Sequence, residues 1–554
     1  MYKNKITQAI LLGGLSLTLA GCGDKPAEQP VKETKPAEKP VSTEVVYADV
    51  QELTRGNGTE VATLDPHKSQ GVPESHVIRD LLEGLVNQDA DGNTIPGVAE
   101  SWETTDNKNF VFHLRKDAKW SNGDPVTADD FVYSFQRAVD PATASPYSWY
   151  MEYTKMVNAK DIIAGKKDKS ELGVKAIDAN TLEIQLDTAV PYFVMMMGHT
   201  TVKPVHQATV EEFGDKWTKP GNFVGNGAFV VKNWVVNERL ELVRNEQYWD
   251  NKDTKLDKVT FLPIENPVAE MNRFLSGEIS FTSTLPTEHF KRLQKEEPES
   301  VSVEGSLCTY YYSFNTQKKP FDDVRVRKAI SYAIDRDIVS GAILGQGQKP
   351  AYFLTPEITA GFNPELPAYG KMTQEERNAE AKRLLAEAGF GPENPLKFTL
   401  LYNTSENHKK IAVAAGSMWK KTLGLEVSLE NQEWKTYLDS KDQGQFEVAR
   451  AGWCGDYNEA SSFLTLMVSK NTTGGKHYLS AEYDALIDKA LKSTSEEERT
   501  AIYLQAEQLL AEDMPIAPIY QYVRSRLLSP QVGGFPAENA EEKIYSKDLY
   551  IKAN

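Results

Sequence analysis

Short stretches in which polar and apolar residues alternate with period two recur along this chain, separated by stretches that carry helix caps. Phe110-Val111-Phe112-His113-Leu114, Leu182-Glu183-Ile184-Gln185-Leu186 and Leu240-Glu241-Leu242-Val243 have the alternation of half-buried strands. Thr373 with Glu376 forms a capping box that opens a helix through Leu384, Leu385 and Ala388, and Gly389 stops it. Ser495 with Glu498 opens a second helix through Ile502, Ala506, Leu509 and Leu510. A third, from about Asp323, places Val326, Ile330, Ala333, Ile334 and Ile338 on one face. No segment repeats with a period of ~20–50 residues and no heptad is sustained. The pattern predicts a mixed α/β protein, and 554 residues, about four times the ~150-residue domain prior, predict more than one lobe.

Composition narrows the function classes. Hydrophobic residues make up 40% and charged residues 25%, with 9 Trp, 24 Tyr and 21 Phe, so most of the chain folds. A net charge of −17 argues against nucleic acid, whose binding needs a basic face. Three cysteines are too few for a disulfide scaffold or a cysteine-rich metal fold.

The first 47 residues read as export and tether. Lys3 and Lys5 precede an apolar run from Ala9 to Ala20 that ends in Leu19-Ala20-Gly21-Cys22, the organisation of a secretory signal. The ending resembles the bacterial lipobox, which implies cleavage after residue 21 and lipidation of Cys22; an ordinary signal that happens to contain a cysteine is the alternative. From Cys22 to about residue 47, four prolines among alternating Lys and Glu predict a disordered leash. Loss of Lys3 and Lys5 takes the net charge from −17 to −19. Cys308 and Cys454 are then the remaining thiols in an oxidising compartment, where one disulfide is expected and two buried thiols are the other reading.

Catalytic motifs are absent: no HExxH, GxSxG, GxxxxGK[ST] or CxxC occurs. Ser417-Met418-Trp419-Lys420 matches S-x-x-K, but no KTG accompanies it and it falls in a helical apolar pattern. Gly225-Asn226-Gly227 and Gly345-Gln346-Gly347 read as turn glycines, and the eight histidines lack metal-ligand spacing. His67 and His408 read as polar surface or loop residues. No enzyme activity, cofactor or metal is predicted.

Several blocks resemble the solute-binding proteins of peptide ABC importers. They are Asp65-Pro66-His67, Pro96-Gly97-Val98-Ala99-Glu100-Ser101-Trp102, His113 through Gly123, Thr127 through Val132, Gly227-Ala228-Phe229 through Tyr248-Trp249, and Pro320 through Arg325. Cys308-Thr309-Tyr310-Tyr311-Tyr312 and Ala449 through Glu459 place the chain nearest the oligopeptide-binding members. The resemblance implies a two-lobed periplasmic-binding-protein (Venus-flytrap) fold with an extra domain. Domain I would comprise 48–82, 207–307 and 524–554, domain II 83–206 and domain III 308–523.

It also implies a site. A peptide of unspecified sequence offers its amine, its carboxylate and its backbone amides, so a general binder must add it as a strand and hold its ends by charge. On that resemblance Asp456 meets the amine, and Gln70, Gly71, Val72, Gly452, Trp453 and Cys454 meet the main chain. Arg450, Lys441 and His408 meet the carboxylate, Tyr147, Ser313, Trp434 and Tyr522 line the pocket, and Cys308 bonds Cys454 near the cleft. Gln70 and Ser313 stand where well-known members carry glutamate, and Lys441 where they carry arginine, so a shifted length or charge preference is expected. The implied protein is a monomeric, lipid-anchored envelope receptor that hands short peptides to an inner-membrane ABC permease. Murein-tripeptide, dipeptide, haem or nickel receptors on the same fold are the near alternatives, and a peptidase, acyltransferase or chaperone the remote ones.

Overall fold

The structure, a computed structural model, describes residues 45–471 and 477–553. The export signal, Cys22 and the leash through residue 44 lie outside the described residues. The expected leash ends earlier than residue 47. Tyr47 already bridges to Lys552, and its ring packs edge-on 5.2 Å from that of Tyr550 while staying 45% exposed.

Three larger sheets organise the chain. In the first, strands Glu52–Gly56, Lys258–Leu262, Arg239–Arg244 and Phe229–Val235 lie in that order, the first pair parallel and the rest antiparallel. The second is antiparallel, in the order Ala99–Glu103, Asn109–Leu114, Thr181–Gln185, Val174–Asp178. The third has six strands, in the order Lys349–Pro350, Ile516–Leu527, Val301–Phe314, Val448–Cys454, Lys397–Asn403, Glu426–Gln432. The period-two stretches are strands in these sheets. Phe110, Phe112, Leu114, Leu182, Ile184, Leu240 and Leu242 all point into the core.

Val301–Phe314 and Ile516–Leu527 pair antiparallel in two blocks. Val301 to Gly305 pairs with Val523 to Leu527, and Thr309 to Ser313 pairs with Ile516 to Gln521, with a register shift between Gly305 and Thr309. Next to the first block, the Leu527 N–H donates to Thr282 Oγ1 at 2.9 Å, tying it to the segment whose Phe281 bridges Arg55 at the edge of the first sheet. The second block lies within the six-stranded sheet.

Helix Gln374–Glu387 has the full capping box, and Gly389 follows at φ +88°. Helix Glu496–Asp513 has half of one. Ser495 Oγ accepts the Glu498 N–H at 3.3 Å, but the Glu498 carboxylate takes the Ser493 hydroxyl instead. The third helix spans Val324–Tyr332 and stops short of the predicted face, with Ile338 45% exposed. Arg336 is the reason. Its buried guanidinium donates to the carbonyls of Ser331, Ile334, Ala351 and Pro518, which caps the helix end and turns the chain.

Two further expectations change. Gly225 and Gly227 are not turn glycines. A Cβ on either would lie 2.3–2.5 Å from the carbonyl oxygens of Leu81 and Asp80, so their requirement is close backbone approach. His67 is buried, because Asp65 is built into a clamp on Arg137. Arg137 Nη1 and Nη2 reach the Asp65 carboxylate at 2.9 and 2.6 Å, and Arg137 Nη1 lies 2.6 Å from His67 Nδ1. Burial, then the Arg137 charge, lowers the His67 pKa to about 3, so the ring is neutral.

Candidate ligand-binding site

Strand Val448–Cys454 is paired on one side along its whole length, from Val448 opposite Phe314 to Cys454 opposite Cys308. On the other side its ladder with Lys397–Asn403 holds only at Val448 and Ala449. Beyond Ala449 no strand pairs with this edge: the Arg450 carbonyl accepts the Tyr437 hydroxyl, and Arg450, Gly452, Trp453 and Cys454 line a cavity of about 290 Å³. Facing them are Gln70, Gly71, Val72 and Pro73, which lead into helix Val72–Leu81.

The two ends of this edge carry opposite charge. Asp456 follows the strand and is 8% exposed. Its N–H donates to Ser462 Oγ at 2.6 Å and its carbonyl accepts from Lys543 Nζ at 3.2 Å, so the backbone is tethered while the carboxylate faces the cavity wall. His199 Nε2 lies 3.2 Å from Asp456 Oδ1. Burial, then the Asp456 charge, pushes the Tyr147 hydroxyl well above its usual range, so it remains a protonated donor beside that carboxylate. At the other end Arg450 Nη1 donates to Asn403 Oδ1 at 3.1 Å and Nη2 to Tyr522 OH at 2.6 Å, with the guanidinium 4.9 Å from the Tyr310 ring centroid. Four residue steps separate Arg450 from Cys454, about 13 Å of extended strand at ~3.3 Å per residue.

Contacts join the two walls. Gln70 Nε2 donates to Asp442 Oδ2 at 2.9 Å. A Cβ at Gly71 would meet Trp434 Cζ2 at 2.9 Å and Glu74 Oε2 at 2.2 Å, so this position has no room for a side chain. The aromatic walls are Tyr147, Trp434, Trp453 and Tyr522; Tyr147 and Trp453 stack at 6.2 Å. Many other aromatics, Trp120, Trp217 and Trp419 among them, are ordinary core.

Most of the sequence-predicted residues therefore meet at one cavity, and three do not line it. Ser313 is buried in the six-stranded sheet, its backbone paired with Ala449 and Ile516, and its side chain does not reach the cavity lining. His408 lies in the first turn of helix Glu406–Leu423 against Tyr310, ring centroids 5.6 Å apart. Burial, with the Arg450 charge second, drives its pKa well below the usual range, so it brings no cation to a carboxylate at neutral pH. Lys441 lies in the last turn of helix Trp434–Asp442, where its neighbour Asp442 makes the contact with Gln70. Cys308 and Cys454 are directly opposite, with Cα atoms 4.0 Å apart and sulfurs joined, and Arg524 Nη2 lies 3.6 Å from each sulfur.

Sequence reasoning missed His76, Arg79, His199, Arg524 and Lys543, all of which line the cavity. No local spacing marks them, since they come from segments hundreds of residues apart. Ser417 and Lys420 of the S-x-x-K match are exposed on the outer side of their helix, away from the cavity. Among the described residues no cluster of His, Cys, Asp or Glu is arranged to hold a metal ion, and no helix is long and apolar enough to cross a membrane.

A charge-polarised strand edge enclosed by segments from distant parts of the chain is the arrangement of a receptor that closes over its ligand. The chain belongs to the bacterial extracellular solute-binding proteins, family 5, whose model matches residues 93–475. It is 54% identical over 508 residues to the periplasmic oligopeptide-binding protein OppA of Salmonella typhimurium, covering 92% of this chain and 94% of that one. The crystal structure of Haemophilus influenzae OppA in complex with RPPGFSPFR superposes with a TM-score of 0.90 at 46% identity, covering 92% of this chain and all of that one. The Escherichia coli murein tripeptide binding protein MppA superposes with a TM-score of 0.91 at 51% identity and the same coverage. The unliganded open form of MppA reaches only 0.66 at 50% identity, covering 92% of this chain and 99% of that one, so the arrangement here differs from that open form.

Proposed function

We propose that this chain is an extracytoplasmic receptor that captures oligopeptides between its lobes and delivers them to an ABC permease, without chemistry of its own. The observation that carries the reading is the strand edge beyond Arg450, open at Gly452 to Cys454, with a carboxylate beyond one end and the Arg450 guanidinium at the other. An extended peptide with its amine at Asp456 and its carboxylate toward Arg450 runs antiparallel to this strand. Its main chain takes the open hydrogen-bonding positions and its side chains fall alternately between aromatic walls. About 13 Å of edge suits three to four residues at ~3.3 Å each. Because the ligand touches both walls, it favours the closed state and shifts the opening equilibrium.

The three-domain division at 48–82, 83–206, 207–307, 308–523 and 524–554 is part of this proposal. It is supported by the register shift between Gly305 and Thr309, which falls where both long strands would pass from domain I to domain III. Lipidation at Cys22, periplasmic display as a monomer and the Cys308–Cys454 bridge complete it. A murein-tripeptide receptor is the second reading, favoured by the equally good superposition on MppA.

Mass spectrometry of ligands released by denaturing the purified soluble protein tests the class. Mixed peptides of varied sequence are expected. A single cell-wall peptide would select the second reading, and the absence of any peptide together with no binding of added ones would overturn both.

A further inference from the structure

His199 stands in the amine subsite without any sequence motif to mark it. It precedes the short turn Thr200–Val202, and its Nδ1 accepts the Thr201 backbone N–H at 3.2 Å. A ring nitrogen that accepts a hydrogen bond presents a lone pair, so in the neutral ring the proton resides on Nε2. That Nε2 lies 3.2 Å from Asp456 Oδ1, with both side chains largely buried. Tyr147 stacks on the ring at 5.1 Å and Tyr150 packs on it at 4.5 Å, fixing its plane. The other charge close by, Lys543, reaches the Asp456 carbonyl at 3.2 Å and Glu541 Oε2 at 2.7 Å, so its charge is engaged with a different carboxylate.

We propose that His199 is a positioning residue of the amine subsite, held by Thr201 as the neutral Nε2–H tautomer so that it orients Asp456 without neutralising it. The distinction matters in a buried site. An imidazolium at 3.2 Å would be an internal cation competing with the ligand's ammonium for one carboxylate, and each binding event would have to break that pair. A neutral ring contributes a dipole, fixes the carboxylate and leaves its charge to the ligand, as second partners do for metal-ligating groups. The role presupposes that Asp456 holds the amine, so the test reads both.

In ¹⁵N-histidine NMR of the soluble protein at pH 7, the signals lost in His199→Gln should show a protonated Nε2 and a bare Nδ1. Protons on both nitrogens would overturn the proposal. In calorimetry with trialanine, His199→Phe keeps a packed ring but no donor and should bind at least tenfold more weakly. His199→Gln, whose amide can donate toward the same oxygen, should recover most of that loss. Equal losses in the two variants would overturn the donor role, and should the Phe variant fail to fold, the tautomer signature still decides. N-acetyl-trialanine binding the unmodified protein as tightly as trialanine would instead overturn the assignment of Asp456, whatever His199 shows.

Discussion

Gln70→Glu exposes how the cleft chooses between charged and neutral peptides. Gln70 Nε2 donates to Asp442 Oδ2 at 2.9 Å across the cleft, and both residues are half-buried. Asp442 ends helix Trp434–Asp442, where the helix dipole already disfavours negative charge, so a donor facing it stabilises the closed arrangement. A carboxylate at position 70 loses a hydrogen bond to a charged acceptor, about 1.5 kcal/mol. It also adds like-charge repulsion, which is about 4 kcal/mol for a 4 Å pair at an effective dielectric of ~20. Partial exposure and side-chain rearrangement cut that to about 1 kcal/mol. The sum is a bias of about 2.5 kcal/mol against closure, up to about 70-fold in affinity for a neutral tripeptide. A ligand whose lysine reaches the two carboxylates converts repulsion into attraction and should lose little or gain. The assay is calorimetry of trialanine and of its three single-lysine variants against the wild type, Gln70→Glu and Gln70→Glu/Asp442→Asn. Trialanine should weaken, at least one lysine peptide should not, and the second substitution should restore trialanine. Unchanged trialanine binding, or equal weakening of all four peptides, would refute the role given to this pair.

Three other outcomes follow from the same geometry. Asp456→Asn should weaken trialanine by 2 kcal/mol or more, about 30-fold, while leaving N-acetyl-trialanine almost unaffected, as read by calorimetry. Replacing Cys308 and Cys454 together by alanine opens a loop with a sequence separation of 146. In the chain-entropy model that costs about 5 kcal/mol, visible as a lower denaturant midpoint than the wild type and absent when the wild type is reduced. Glu270 is fully buried, accepts the Ser283 N–H and hydroxyl at 2.7 and 2.9 Å, and has its pKa raised to about 7 by burial. Its favourable contribution is present below the unfolded-state value, near 4.3, and is lost as pH rises through 7. Glu270→Gln should therefore melt higher than the wild type at pH 8, with the advantage shrinking toward pH 5; a constant difference between the two pH values would falsify the assignment.

The strands were readable because a half-buried strand must alternate, and Phe110, Phe112 and Leu114 do so with no help from distant residues. The capping box at Thr373 and Glu376 was readable for the same reason, since both halves lie within one turn. The failures mark where distant groups decide. The helix from Val324 ends early because Arg336 takes carbonyls from Ala351 and Pro518 as well as from its own turn. Gly225 and Gly227 serve the backbone at Asp80 and Leu81, not a turn. Ser313, matched to a pocket position by resemblance, is buried within the sheet and does not line the cavity.

By itself the sequence determined the mixed α/β architecture and the family, and it named Asp456 and Arg450, which line the cavity. These depend on residue types in local order, which survive in one dimension. Only the tertiary structure decided that the ladder beside Val448–Cys454 stops at Ala449, so that no strand pairs with the edge beyond it. It alone brought His76, His199 and Lys543 to that edge, from positions as far apart as 467 residues (543 minus 76). The physical reason is that a cleft is made where walls from remote segments converge, and no local pattern records which remote side chains will face each other.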